Sequence, residues 1–243
     1  MIAHRGACLR APEDTLAAFR LAMALGADGV ELDAKLTLDG AVAIIHDPTL
    51  DRTTDGTGPV SARTRAELKA LDAGSSFSPE FAGERIPILD EVFAELGAKS
   101  LINVEMTNYA SPRDSLPERV VELVFTFGLE SRVLLSSFNP FALRTARRLA
   151  PDLPLGFLLG PGQPLWMRAL FPRISPHESY HLHDTLITEG AARRAHRAGR
   201  KFIPWTVNDP DRIRWLLKQG ADAIITDAPD LALEIRKDVR QGS

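Results

Sequence analysis

Cysteine is nearly absent from this chain. Cys8 is the only one in 243 residues, so no intrachain disulfide can form and nothing calls for an oxidising compartment; a cytoplasmic setting is the default expectation. No apolar run reaches the roughly 18 residues that suggest a membrane span, and the opening Met1-Ile2-Ala3-His4 leads straight into a strand pattern rather than a signal peptide. Neither sign of charge dominates. Lys+Arg number 29 against 32 Asp+Glu, a net charge of -3, and the pI is near 6.1. Such a balance gives no general attraction to nucleic acid or anionic membrane, so any phosphate recognition must be local. Low-complexity tracts are missing as well. What remains is an ordinary globular composition, 44% hydrophobic and 25% charged, able to bury a sizeable core in one large domain or two small ones. The oligomeric state leaves no mark.

Short apolar runs alternate with helical patterns, the signature of repeated βα units and a parallel sheet. Strands are expected near residues 2–4, 29–34, 42–46, 101–106, 133–136, 155–157, 173–175, 202–205 and 223–226. That is one more than a barrel needs, and the gap from Ala34 to Val42 is too short for a crossover helix. Leu16, Phe19 and Met23 before Gly26, and Val120, Leu123, Val124 and Phe127 before Gly128, mark two helices ending at glycines. The strands are too continuously apolar for one face to be wet, so helices should cover the sheet, as in a barrel or a doubly wound fold. Two stretches break the rhythm and read as insertions within a single domain spanning 1–243. Residues 47–87 are rich in turn formers, suggesting an excursion above the sheet. Residues 160–184 mix proline, aromatics and three histidines, and read as mobile rim loops with at most one short strand.

Glu31 and Asp33, in "GVELDAKLT", are spaced by two on a strand and so share a face. On an inward face two such charges are costly unless a cation or protons neutralise them, and oxygen ligands suit a hard divalent ion, Mg2+ or Ca2+; on an exposed strand the pair needs no ion. Glu105, inside the apolar strand "LINVEM", can complete a three-carboxylate metal site or form a salt bridge at a strand end. His4 and His46 each follow an apolar run, which places both at C-terminal strand ends, the active face of a (β/α)8 barrel. Two imidazoles there suit general acid and general base work, or else structural hydrogen bonding. Arg5 offers a planar fork of donors to a phosphate, unless it is a surface charge.

"IAHRGACLRAPEDTLAAF", "GVELDAKLTLDGAVAIIHDPTLDRTTDGTG", "LDAGSSFSPEFAGERIP", "INVEM" and "PWTVND…GADAIITDAPD", in that order, resemble the glycerophosphodiester phosphodiesterase family nearly end to end. The resemblance implies a (β/α)8 TIM barrel with a small insertion after the strand ending at His46. It implies a small-molecule glycerophosphodiester substrate, hydrolysed to sn-glycerol 3-phosphate and an alcohol, and a divalent metal cofactor. Carried over by position, Glu31, Asp33 and Glu105 are the metal ligands, His4 and His46 the catalytic histidines, and Arg5 the phosphate-binding arginine. Glu13 is a polar position near the site, and Trp205 lines the substrate pocket or packs in the core. The chain departs from the family pattern twice. Asp14 stands where "PENT" has an amide, and is expected to cap the following helix. Thr107 stands where many members have a lysine, so one positive charge near the phosphate is expected to be missing. Ser136, Phe138 and Asn208 follow strands as support for the pocket. His177, His181 and His183 fall in the variable segment and are expected on the surface or in loops; Cys8 is expected to be structural. Alternatives on the same barrel are a lysophospholipase D-like enzyme, a phosphodiesterase forming a cyclic phosphate, and a non-catalytic glycerophosphodiester-binding barrel.

Overall fold

The computed structural model describes residues 1–109 and 111–241. In chain order the elements are β1 (Ile2–His4), α1 (Leu16–Ala24), β2 (Gly29–Leu36), β3 (Val42–Ile44), α2 (Arg65–Ala70), α3 (Leu89–Leu96), β4 (Leu101–Met106), α4 (Leu116–Thr126) and β5 (Val133–Ser137). They continue with α5 (Pro140–Leu149), β6 (Leu155–Leu159), α6 (Leu165–Ile174), β7 (Ser179–His183), α7 (Ala191–Arg197), β8 (Lys201–Trp205), α8 (Pro210–Lys218), β9 (Ile225–Thr226) and α9 (Pro229–Gln241). The strands other than β3 pair in parallel in the order β8-β7-β6-β5-β4-β2-β1-β9. Two backbone bonds at the seam, Asp222 N to Phe202 O at 2.9 Å and Val207 N to Ile225 O at 3.0 Å, draw β8 and β9 together into a nearly closed barrel with helices between its strands.

The surplus strand is β3. It runs antiparallel to β2, with Ala34 opposite Ile44. The connection is therefore a hairpin rather than a crossover, which is why so few residues suffice: Thr37 N donates to Ala41 O at 3.0 Å and Gly40 supplies the positive φ of the turn. Residues 173–175 are not a strand. They end α6 and begin the link to the true seventh strand, β7. This strand is hard to read because its inward side chains, Ser179, His181 and His183, are polar, while α6 buries none of its side chains and so lacks a one-sided apolar pattern.

The main core lies between sheet and helices, where Val30, Leu32 and Ala34 of β2 meet Phe19, Ala22, Val92 and Val120. A second core joins α7, α8 and α9 to the closing strands through Phe202, Ile213, Leu216 and Ala232. Residues 47–87 have their own small core, in which Leu50, Val60, Leu68 and Ile86 pack on Ala43 and Ile45 beside β3. Much of "LDAGSSFSPEFAGERIP" serves this segment. The Asp72 carboxylate accepts from Gly74 N, Ser75 N and Ser75 Oγ, and from Gly83 N at 2.7 Å, which pins the loop.

Candidate active site

Three carboxylates meet at the C-terminal half of the barrel. The pleat of β2 that sends Val30, Leu32 and Ala34 to the helices turns Glu31 and Asp33 toward the axis, and Asp33 pairs in register with Glu105 of β4. One ligand oxygen from each of Glu31, Asp33 and Glu105 lies within 4.8 Å of the others. Glu31 and Asp33 are only 3% and 2% exposed. Burial, and then repulsion from Asp33, push Glu31 far above the usual carboxylate range and Glu105 up to about 8. A hard divalent cation relieves the same repulsion and takes oxygen ligands, so this donor set fits Mg2+ or Ca2+. Buried Asp14 lies beside it, Oδ1 3.4 Å from Asp33 N and Oδ2 without a hydrogen-bond partner among the described residues; burial and Asp33 raise its pKa too. Asp14 caps no helix. Thr15 does so instead, its Oγ1 accepting from Ala18 N at 3.2 Å.

His4 ends β1, with Nδ1 2.7 Å from Asp227 Oδ1 and Nε2 3.9 Å from Glu31 Oε2. Burial opposes the charge on Asp227, but hydrogen bonds from His4, Asn208 and Cys8 outweigh it and hold the pKa at about 2. His4, Cys8 and Asp227 also have metal-like spacing. Their chemistry does not fit, because Cys8 Sγ donates to Asp227 Oδ1 at 3.2 Å, and burial and Asp227 push the thiol well up, so no thiolate is offered. His46 does not end a barrel strand. It follows antiparallel β3, which returns toward the carboxylates so that Ile45 N donates to Asp33 O at 2.9 Å. Its Nδ1 lies 2.7 Å from Asp47 Oδ1, and its side chain is 43% exposed. Each imidazole is thus oriented through Nδ1 by an aspartate, leaving Nε2 for exchange.

Arg5 adopts a positive φ of 52°, a strained setting for a side chain of its size. Its Nε lies 3.1 Å from Asp33 Oδ2 and its Nη1 donates to Glu13 Oε1 at 2.9 Å. Arg52 grips Glu13 from the other side, Nη1 to Oε2 at 2.7 Å, while its Nε meets Asp47 Oδ2 at 2.7 Å. Glu13 is therefore a bracket between two guanidiniums. A third cation comes from β2. Lys35 Nζ donates to Thr107 Oγ1 at 2.6 Å, so the charge expected to be missing at residue 107 reaches that residue from the neighbouring strand.

Trp205 ends β8. Its Nε1 donates to His181 O at 3.0 Å, and its ring packs edge-on against Phe138 and His183, with centroids at 5.6 and 4.9 Å. Trp205, Phe138, Phe141, Met167, Phe171 and Tyr109 line an apolar cavity of about 510 Å³. Tyr109 ties this cavity to the carboxylates by donating its hydroxyl to Glu105 Oε1. Ser136 is sealed inside the barrel, its Oγ without a hydrogen-bond partner among the described residues, and Asn208 supports Asp227. His177 and His181 are buried, at 2% and 0% exposure, rather than in surface loops; they are held by β7 and its approach, which the polar sequence disguised.

Asp227, Asp47, Arg52, Lys35 and Tyr109 were not singled out from sequence. Asp227 had a usable signal, a carboxylate directly after the apolar run "ADAIIT", the same pattern that marks His4.

Fold and candidate site together define the class as a (β/α)8 barrel that gathers carboxylates, imidazoles and guanidiniums in one cluster. Residues 4–231 match the glycerophosphoryl diester phosphodiesterase family. A glycerophosphodiester phosphodiesterase of Caldanaerobacter subterraneus subsp. tengcongensis is 41% identical over 100% of this chain and 98% of its own length. One from Bacillus altitudinis is 36% identical over 99% of each. A solved structure of an Oleispira antarctica phosphodiesterase in complex with the product sn-glycerol-3-phosphate superposes with a TM-score of 0.86 at 33% identity, covering 97% of this chain and 96% of that one. The chain belongs to the glycerophosphoryl diester phosphodiesterase family.

Proposed function

We propose that this protein hydrolyses glycerophosphodiesters to sn-glycerol 3-phosphate and an alcohol, with Glu31, Asp33 and Glu105 holding Mg2+ or Ca2+ and His4 and His46 moving the protons. The observation that carries this reading is the pair of aspartate-oriented imidazoles, His4–Asp227 and His46–Asp47, at a pocket of three mutually repelling carboxylates. A bound divalent ion supplies Lewis acidity and a template for the phosphodiester. One imidazole Nε2 accepts the proton of the nucleophile, water or the glycerol 2-hydroxyl, and the other gives a proton to the departing alkoxide as the P–O bond breaks. Each transfer contributes on the order of 10² to 10⁴ in rate. Asp227 and Asp47 hold the rings and stabilise their protonated forms. Attack by the 2-hydroxyl gives a cyclic phosphate that water must then open; direct attack by water does not.

The test is release of sn-glycerol 3-phosphate from glycerophosphocholine and glycerophosphoethanolamine, first with chelator and then with Mg2+, Ca2+ or Mn2+ restored, beside His46→Ala. Full activity in His46→Ala sinks the two-histidine scheme. Metal-dependent turnover excludes a pure binding barrel. A second reading, hydrolysis of lysophospholipids, is favoured by the apolar cavity that Tyr109 joins to Glu105 and by Leu165 and Trp166 of α6, which stand 76% and 58% exposed nearby in the chain. Turnover of a lysophospholipid in preference to glycerophosphocholine would select it.

A further inference from the structure

We infer that Lys35 is the cation that meets the substrate's phosphate, held in place by Thr107; this rests on the phosphodiesterase reading above. Glu31, Asp33 and Lys35 alternate along β2 and so share its inward face. Lys35 therefore stands two residues beyond Asp33, about 6–7 Å further toward the barrel mouth. Thr107 stands likewise two beyond Glu105, and Asp33 and Glu105 are register partners, so Lys35 and Thr107 form the next inward rung above the metal-binding pair. The hydroxyl of Thr107 donates to Ala34 O at 2.7 Å, and its remaining capacity is to accept, which it does from Lys35 Nζ at 2.6 Å.

Charge accounting singles out this ammonium. Arg5 lies against Glu13 and Asp33, and Arg52 against Glu13 and Asp47. Lys35 forms no ion pair among the described residues, and its one hydrogen bond there goes to a neutral hydroxyl. An ammonium has three donors, so two remain for an anion lodged over the carboxylates. A phosphodiester oriented there presents its non-bridging oxygens to this rung. A threonine at residue 107 then costs the site no charge, because it anchors a lysine carried by the adjacent strand.

A purely structural role, in which Lys35 only offsets the carboxylates, makes a different prediction. Removing such a charge strengthens divalent-ion binding and leaves phosphate affinity alone. The experiment compares wild type, Lys35→Met and the double variant Lys35→Met/Thr107→Lys. It reads kcat and KM for glycerophosphocholine at saturating Mg2+, and calorimetric affinities for Mg2+ and for sn-glycerol 3-phosphate. Lys35→Met is expected to lose roughly 10²–10³ in kcat/KM, the scale of losing one preorganised donor at a developing charge. Its affinity for sn-glycerol 3-phosphate falls while that for Mg2+ holds or rises. Returning a lysine at 107 restores at least about tenfold of the loss, since the charge comes back to the same rung. The inference is overturned if Lys35→Met keeps kcat/KM within about threefold of wild type. It is equally overturned if activity and Mg2+ affinity fall together and the double variant recovers neither. A wild type that binds sn-glycerol 3-phosphate through Lys35 but hydrolyses no diester refutes the phosphodiesterase reading alone; one that neither binds nor turns over refutes both.

Discussion

Adding a divalent ion to ion-free protein at neutral pH is expected to expel protons from the site. With its pKa at about 8, Glu105 is roughly nine-tenths protonated at pH 7. Glu31 lies well above the usual range through burial and its neighbours Asp33 and Glu105. Ligation requires the carboxylate forms, so binding releases between about one and two protons, and affinity rises with pH by roughly one to two powers of ten per unit below pH 8. Titration calorimetry with Mg2+ or Ca2+ in two buffers of different ionisation enthalpy reads the proton count directly. The same shift sets the sign of the ion-free stability. Glu105 binds its proton more tightly folded than unfolded, so the folded state loses on the order of a few kcal/mol from this group as pH rises from about 4.5 to 8. A metal ion recovers that loss. Binding with no proton release at pH 7, or an affinity flat between pH 6 and 8, would refute the picture of mutually repelling carboxylates.

Asp227→Asn leaves the His4 ring in place but unsettles its tautomer and its protonated form; a fall of about 10² to 10⁴ in kcat with an unchanged circular dichroism spectrum is expected. Thr15→Ala removes the α1 cap and is expected to cost about 1 kcal/mol, read as a lower denaturant midpoint. Buried His181 has its pKa lowered by desolvation to about 3. The unfolded chain therefore takes up its proton first, and stability falls as pH drops from about 6.5 toward 3. His181→Gln should flatten that part of the acid-denaturation profile.

Much of this was legible in the sequence because inward and outward side chains alternate on the strands that build the site. β1 and β4 begin and end where the apolar runs do, and Glu31, Asp33 and Glu105 announce themselves as carboxylates within buried strands. The reading failed where that contrast vanished. β7 turns serine and histidines inward, and α6 exposes Leu165, Trp166, Leu170 and Ile174 and fully buries no side chain, so neither carried the expected pattern. Lys35 was overlooked because its significance depends on register: only the pairing of β2 with β4 brings it beside Thr107. Asp227 and Arg52 contact residues far along the chain, His4 and Glu13, and spacing carries no information about such partners.

The bracket at Glu13 couples two separately packed parts of the chain. Arg52 belongs to the segment 47–87, yet it clasps both Glu13 and the aspartate that orients the His46 ring. One imidazole thus takes its bearing from the barrel's closing strand and the other from an appendage with a separate core. A change in that appendage would therefore move the aspartate that orients His46 while leaving Glu31, Asp33 and Glu105 in place on the barrel strands.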